Sequence, residues 1–137
     1  MDIRVSLELI LASSNPRFSD RFYQTFFDQN PEVKKWFSGV DLTRQGVLLA
    51  MALQVMVEHH LRRHLVMKNY LKLLGNRHHR LGIPTSDYPK FGASLLSTLR
   101  DFHAERWNDD LAEQWRAASV EAIQLMIEGH TDDFDVT

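Results

Sequence analysis

The chain contains no cysteine. That excludes disulfide staples, thiolate metal sites and a cysteine nucleophile together. Glycine and proline are sparse, at 6 and 4 residues, and no glycine-rich phosphate loop occurs among them. Strict alternation of apolar and polar residues is missing, as is any two-residue hairpin signal, so strands are not expected. No run of about 18 residues is both apolar and uncharged, which excludes a membrane-spanning helix. The opening Met1-Asp2-Ile3-Arg4-Val5-Ser6 lacks a basic region followed by a long apolar run. No signal peptide is therefore expected, and the cytoplasm is the expected compartment. Sixteen basic and eighteen acidic residues are interspersed for a net charge of −2. No basic face advertises nucleic acid or an anionic membrane. Internal repeats and low-complexity segments are lacking too.

What remains is a chain of 137 residues, 44% hydrophobic and 25% charged, the profile of an ordinary globular protein. That length suits one domain burying about two-thirds of its surface. Its apolar residues recur at helical spacing almost throughout. Residues 3 to 12 read as a short amphipathic helix through Ile3, Leu7, Ile10 and Leu11. Ser13-Ser14-Asn15-Pro16 breaks it and caps the next, with Pro16 at a first helical position. An aromatic helix follows to about Gln29, carrying Phe18, Phe22, Tyr23, Phe26 and Phe27. Asn30-Pro31 stops the chain and restarts it for a turn or two through Trp36 and Phe37. Asp41 is a good N-cap for a long segment to about His60 that is apolar almost all round, hence central. His59, His60 and His64 lie at its end among Arg62 and Arg63. Without a carboxylate or cysteine partner, they read as a solvated helix end rather than a metal site.

The informative stretch is 71–82, LKLLGNRHHRLG. Leu71, Leu74, His78 and Leu81 lie three and four residues apart and form one apolar stripe with a histidine in it. Lys72, Asn76 and His79 fall on another, solvated side. Gly82 and Pro84 stop the helix. An imidazole held against apolar side chains is either a core histidine with a partner or an axial ligand to a metal cofactor. Beyond it, Tyr88, Phe91, Leu95, Leu99 and Phe102 share a stripe flanked by Leu96. A last helix starts around Asn108-Asp109-Asp110 and buries Leu111, Trp115, Ala118, Ala122 and Leu125, with Met126 alongside. The expected class is all-α. Residues 1–130 form the domain and the acidic 131–137 a frayed tail.

In this order and spacing, the segments make the chain resemble a globin. The likeness is to single-domain bacterial haemoglobins and to the haem domain of flavohaemoglobins. Arg21-Phe22-Tyr23-Gln24-Thr25-Phe26-Phe27 and Asn30-Pro31-Glu32-Val33-Lys34-Lys35-Trp36-Phe37 are similar to that family's second helix and the corner after it. Asp41-Leu42-Thr43-Arg44-Gln45, with Leu49 four residues on, resembles the start of its distal helix. Leu74-Gly75-Asn76-Arg77-His78 with Leu81-Gly82-Ile83 and Tyr88 resembles the proximal segment, and Trp115 matches a family tryptophan. The resemblance implies a three-over-three helical sandwich with a short first helix. It also selects His78 over His79, as the helical stripe does independently.

On that resemblance, His78 would be the axial ligand of haem b iron, leaving the sixth position open for a gas. Phe37 would stack on the porphyrin at the corner. Leu74 would press it from the proximal side and Leu49 would crowd the distal side. Tyr23 and Gln45 would donate hydrogen bonds to ligand oxygen. The plainer alternatives are a core ring with a locally bonded hydroxyl for Tyr23 and an exposed side chain for Gln45. Tyr88 would back the proximal side. In flavohaemoglobins the matching tyrosine joins the histidine and a glutamate of the last helix in a network that makes the iron electron-rich. Here the matching position is His130 and the nearest acid Glu128, so the chain departs from that pattern and the resemblance leaves the network open. Arg44 and Arg77 are candidates for pairing with haem propionates, although solvated helix faces carry arginines routinely.

The implied function is reversible binding of dioxygen, nitric oxide or carbon monoxide. Nitric oxide dioxygenation is the implied chemistry, in which dioxygen and nitric oxide give nitrate and leave ferric iron. The 137 residues hold no flavin or nicotinamide domain, so turnover would need a separate reductase. The alternatives are a gas sensor or carrier without turnover and a haem-free globin-like regulatory module. A monomer or a homodimer is expected.

Overall fold

The computed structural model describes residues 1–14 and 17–131. Among these are six α-helices, three short 3-10 turns and no strand. Helix α1 (Ile3–Ala12) is the shortest and is capped by Asp2, whose carboxylate accepts the Val5 N–H at 3.0 Å. Asn15 and Pro16, read above as break and cap, lie outside the described residues, as does the tail from 132. Helix α2 (Phe18–Gln29) leads into a 3-10 turn, Pro31–Phe37, which opens on its proline. Helix α3 spans Leu42–Arg62, and Asp41 caps it by accepting the Thr43 N–H at 2.9 Å. After it come α4 (Leu65–Arg80), α5 (Tyr88–His103) and α6 (Asp109–Gly129). The Asn108 side chain caps α6 by accepting the Leu111 N–H at 2.8 Å.

The helices form two layers. Helix α3 packs against α1 and α4 in one; α5 packs against α2 and α6 in the other. The crossings of α3 and α4 with α6, and of α2 with α3, join the layers. Ile3, Phe18, Phe22, Leu53, Leu95, Leu99, Leu111 and Trp115 meet between them as a single apolar core. This is the three-over-three sandwich with a short first helix.

Two crossings are set by glycine. A Cβ on Gly75 of α4 would meet the Met126 carbonyl oxygen at 1.9 Å, and one on Gly129 of α6 would meet the Lys72 carbonyl oxygen at 1.9 Å. Helices α4 and α6 therefore touch backbone to backbone. Asn76 sits in that contact and donates to the Gly129 carbonyl at 3.1 Å. The helical stripe had put Asn76 on the solvated side; it is buried, because α6 covers a second face of α4. The other glycine crossing is between α2 and α3, where a Cβ on Gly46 would meet the Ser19 hydroxyl at 2.7 Å.

Three further expectations need correction. Helix α3 buries Leu49, Leu53, Met56 and Val57 but exposes Val47, Leu48 and Met51, so it is two-faced rather than enclosed. Leu81 leaves the stripe altogether at 67% exposure. It caps α4, and Gly82 at φ +87° reverses the chain, with the Gly82 and Ile83 N–H groups donating to the carbonyls of His79 and His78. That is a Schellman end, and the helical face stops before Leu81. Finally, the histidines at the end of α3 are not simply solvated. His59 is buried, and His60 Nδ1 lies 3.0 Å from the Glu121 carboxylate of α6. That carboxylate partner lies 61 residues further along the chain.

Candidate functional site

The sequence-predicted residues gather in two clusters. The first joins α2, the Pro31–Phe37 turn and the start of α3. Tyr23 is buried in α2, one turn before Phe26 and Phe27. Phe37 is half-buried and packs its ring edgewise on Tyr23, Phe26 and Phe27, with centroids 5.5, 6.4 and 5.2 Å apart. Beside Phe37 opens a cavity of about 440 Å³ lined also by Phe27, Val40, Leu42, Lys34 and Lys35. Its lining mixes apolar side chains with two cations, a combination neither composition nor periodicity points to. Leu49 is buried in the adjoining core, one turn after the half-buried Gln45.

Tyr23 and Gln45 do meet. The Tyr23 hydroxyl donates to the main-chain carbonyl of Gln45 across a long 3.5 Å. This is the locally bonded geometry considered above, and at that length the bond is weak. Burial pushes the hydroxyl's pKa up to about 12, with the Gln45 side chain opposing as a hydrogen-bond donor. Tyr23 is therefore a neutral donor across the physiological range. Its proton is free to move to a better acceptor.

The second cluster joins α4, α5 and the end of α6. His78 lies in the last turn of α4, with Leu74 one turn before it; both are half-buried. Tyr88 opens α5 and is 4% exposed. Its ring stacks near His78 at 5.9 Å between centroids, and its hydroxyl lies 3.3 Å from His78 Nδ1. On the other side the same hydroxyl lies 2.8 Å from Nε2 of His130. His78, Tyr88 and His130 are therefore linked without a carboxylate. His130 is placed by the contact of Gly129 with α4 and flanked by the His79 ring at 5.1 Å.

Electrostatics keep this cluster uncharged. Burial first, then His130 and Arg77, push His78 down to about 4. Burial raises the Tyr88 hydroxyl and lowers His130, the latter aided by His79. A neutral imidazole with Nδ1 occupied offers Nε2 as its ligating nitrogen. Arg44 and Arg77, the other candidates, are both exposed, on α3 and α4.

A two-layered helical sandwich with a half-buried histidine beside a tyrosine, and a tyrosine–glutamine pair on two other helices, defines an all-α sandwich class of protein. The family model "Globin" matches residues 20–126. The chain belongs to the globin family. Relatives named flavohemoprotein match most of it at low identity. That of Vibrio cholerae is 27% identical over 87% of this chain and 30% of its own length. That of Rhodopirellula baltica is 27% identical over 81% and 28%, and that of Chromobacterium violaceum 29% over 80% and 27%. The chain thus spans under a third of the length of these relatives.

The residues fit the haem that this family binds. His78 supplies a neutral nitrogen donor. The two helices bearing Gln45 and His78 also expose Leu42, Leu48, Met51, Leu73 and, just beyond α4, Leu81. So much unpaired apolar surface on two adjacent helices suits a large flat apolar group. No single helix among the described residues is long and apolar enough to cross a membrane.

Proposed function

We propose that residues 1–130 are one globin domain that binds haem b through His78 and reversibly binds dioxygen and other diatomic gases. Nitric oxide dioxygenation, driven by a separate reductase, is the chemistry it supports best. The observation that carries this reading is His78 itself: uncharged, half-buried, and tied through Nδ1 to a buried tyrosine. Haem b bound there supplies an iron with a coordination position open to a gas.

The chain's own residues do the rest. His78 presents Nε2, and Tyr88 holds its ring in place. Leu74 and Leu49 supply apolar walls. Phe37, wedged on Tyr23 and Phe27, gives the corner a face for the macrocycle. Arg44 and Arg77, both exposed on α3 and α4, are only candidates for pairing with propionates. The Tyr23 hydroxyl would donate a hydrogen bond to a gas oxygen carrying partial negative charge in place of its weak bond to the Gln45 carbonyl, and the Gln45 amide would add a second donor.

A carrier or sensor without turnover is the second reading. It is favoured by His130, which ends the proximal network in a neutral ring where an acid would withdraw more of the His78 proton. The test is nitric oxide consumption by the haem-loaded protein with dioxygen and an external flavin reductase. Sustained consumption, with nitrate formed, supports the dioxygenase. Stable gas binding with no consumption beyond one equivalent assigns the carrier or sensor.

A further inference from the structure

We propose that His130 is a positioning residue that, through Tyr88, fixes the tautomer of His78, keeping the proton on Nδ1 and Nε2 bare. The proposal rests on the reading that His78 Nε2 holds iron, but its first step concerns only three side chains.

The Tyr88 hydroxyl has one proton and two lone pairs. It sits between two imidazole nitrogens, each of which can donate or accept. Two consistent arrangements exist for neutral groups. In one, His78 Nδ1–H donates to Tyr88 Oη and the Tyr88 proton goes to His130 Nε2. In the other, every proton in the chain is reversed and His78 carries its own on Nε2, where it blocks ligation.

The distances separate them. The contact with His130 is 2.8 Å and that with His78 is 3.3 Å. With a single proton to give, the hydroxyl donates across the shorter contact to His130, which leaves the longer contact to the His78 N–H. The surroundings point the same way. His130 is at the open end of α6 and only partly buried, so its outer nitrogen can keep a proton solvated. Its ring is held on one side by His79, and its backbone by the contact of Gly129 with Lys72 and the bond from Asn76. The acceptor is thus fixed by the same helix that carries the histidine it orients.

The end group also sets the strength of the effect. A neutral imidazole accepts the tyrosine proton without pulling as a carboxylate does. The chain orients His78 and leaves it an ordinary neutral ligand. His130 is accordingly the residue that decides how electron-rich the His78 donor becomes.

The experiment takes the full chain at pH 8 as wild type, His130→Gln, His130→Phe and His130→Glu. Nitrogen-15 NMR of the histidine rings reads the His78 tautomer before haem is added, and resonance Raman reads the iron–histidine stretch afterwards. Wild type and His130→Gln, which keeps an acceptor, should show a single Nδ1–H tautomer; His130→Phe should show a mixture. In the loaded ferrous proteins His130→Glu should move the stretch to higher frequency, and His130→Phe should broaden or lower it. An Nε2–H tautomer in the wild type overturns the proposal. So does a stretch unmoved in both His130→Glu and His130→Phe while the haem absorption band is intact. If no variant takes up haem, the haem reading fails and the tautomer measurement alone decides the proposal.

Discussion

Tyr23 shows how much one hydroxyl can be asked to do. Burial keeps it protonated and its present partner is a main-chain carbonyl at 3.5 Å, so little is lost when it turns to a ligand. A hydrogen bond to a partly charged oxygen is worth about 1.5 kcal/mol, roughly tenfold in a rate. In Tyr23→Phe, dioxygen should therefore leave about tenfold faster, as measured by stopped-flow displacement with carbon monoxide; an unchanged rate assigns the stabilisation to Gln45. A second buried hydroxyl acts purely in the fold. Trp115 Nε1 donates to Ser6 Oγ at 2.9 Å, and Ser6 in turn bonds His103. Ser6→Ala strands a buried indole N–H and should cost about 1–3 kcal/mol in urea unfolding. Single residues were the least legible scale in the sequence. His78, Tyr23 and Phe37 announced themselves by type and position. Ser6 and His103 are 97 positions apart, and no local pattern joins them. His130 stands in view, yet the lack of an acid there hides that an imidazole nitrogen is an acceptor too, although a weaker one than a carboxylate.

Elements were read more faithfully, because apolar period and capping chemistry are local. Asp41, Asn108 and Gly82 each do what their residue type predicts. The errors came where a helix has more than one neighbour or ends early. The His78 stripe alone puts Asn76 toward solvent, but α4 meets α6 on another face. The signal available was Gly75 in mid-helix, since an interior glycine often marks a close backbone approach. Leu81 followed the stripe arithmetically and missed the helix end. The crossing of α4 and α6 gives the sharpest prediction at this scale. Gly75→Ala places a methyl against the Met126 carbonyl at 1.9 Å, a backbone atom that cannot step aside. The variant should lose about 3 kcal/mol and loosen His130 from Tyr88, read as a lower urea midpoint together with a mixed His78 tautomer. Unchanged stability would mean that the helices do not touch there.

For the whole molecule, the all-helical class, the chain order of helices and the core stripe of α6 were all legible, since each rests on periodicity over many residues. The two-layer packing followed from resemblance, and the exposed apolar face of α3 from neither. The buried histidines also give the molecule a pH response. Burial lowers His103 and His59 below the ordinary histidine value. The unfolded chain therefore takes up their protons first as pH falls. Stability should be level above about pH 7 and fall below about 6.5, by up to about 1.4 kcal/mol per pH unit for each histidine. Urea midpoints from pH 8 to pH 5 check this, and His103→Gln should flatten the slope.

Haem binding by this molecule turns on His78. The most direct measurement is the absorption spectrum of the full chain titrated with haem, ferric and then ferrous under carbon monoxide, beside His78→Ala. An intense Soret band that saturates at one haem per chain, shifts sharply with carbon monoxide and is lost or altered in His78→Ala is the predicted result. Failure to take up haem, or equal uptake and the same spectra without His78, would contradict it and leave a globin fold serving as a haem-free regulatory module.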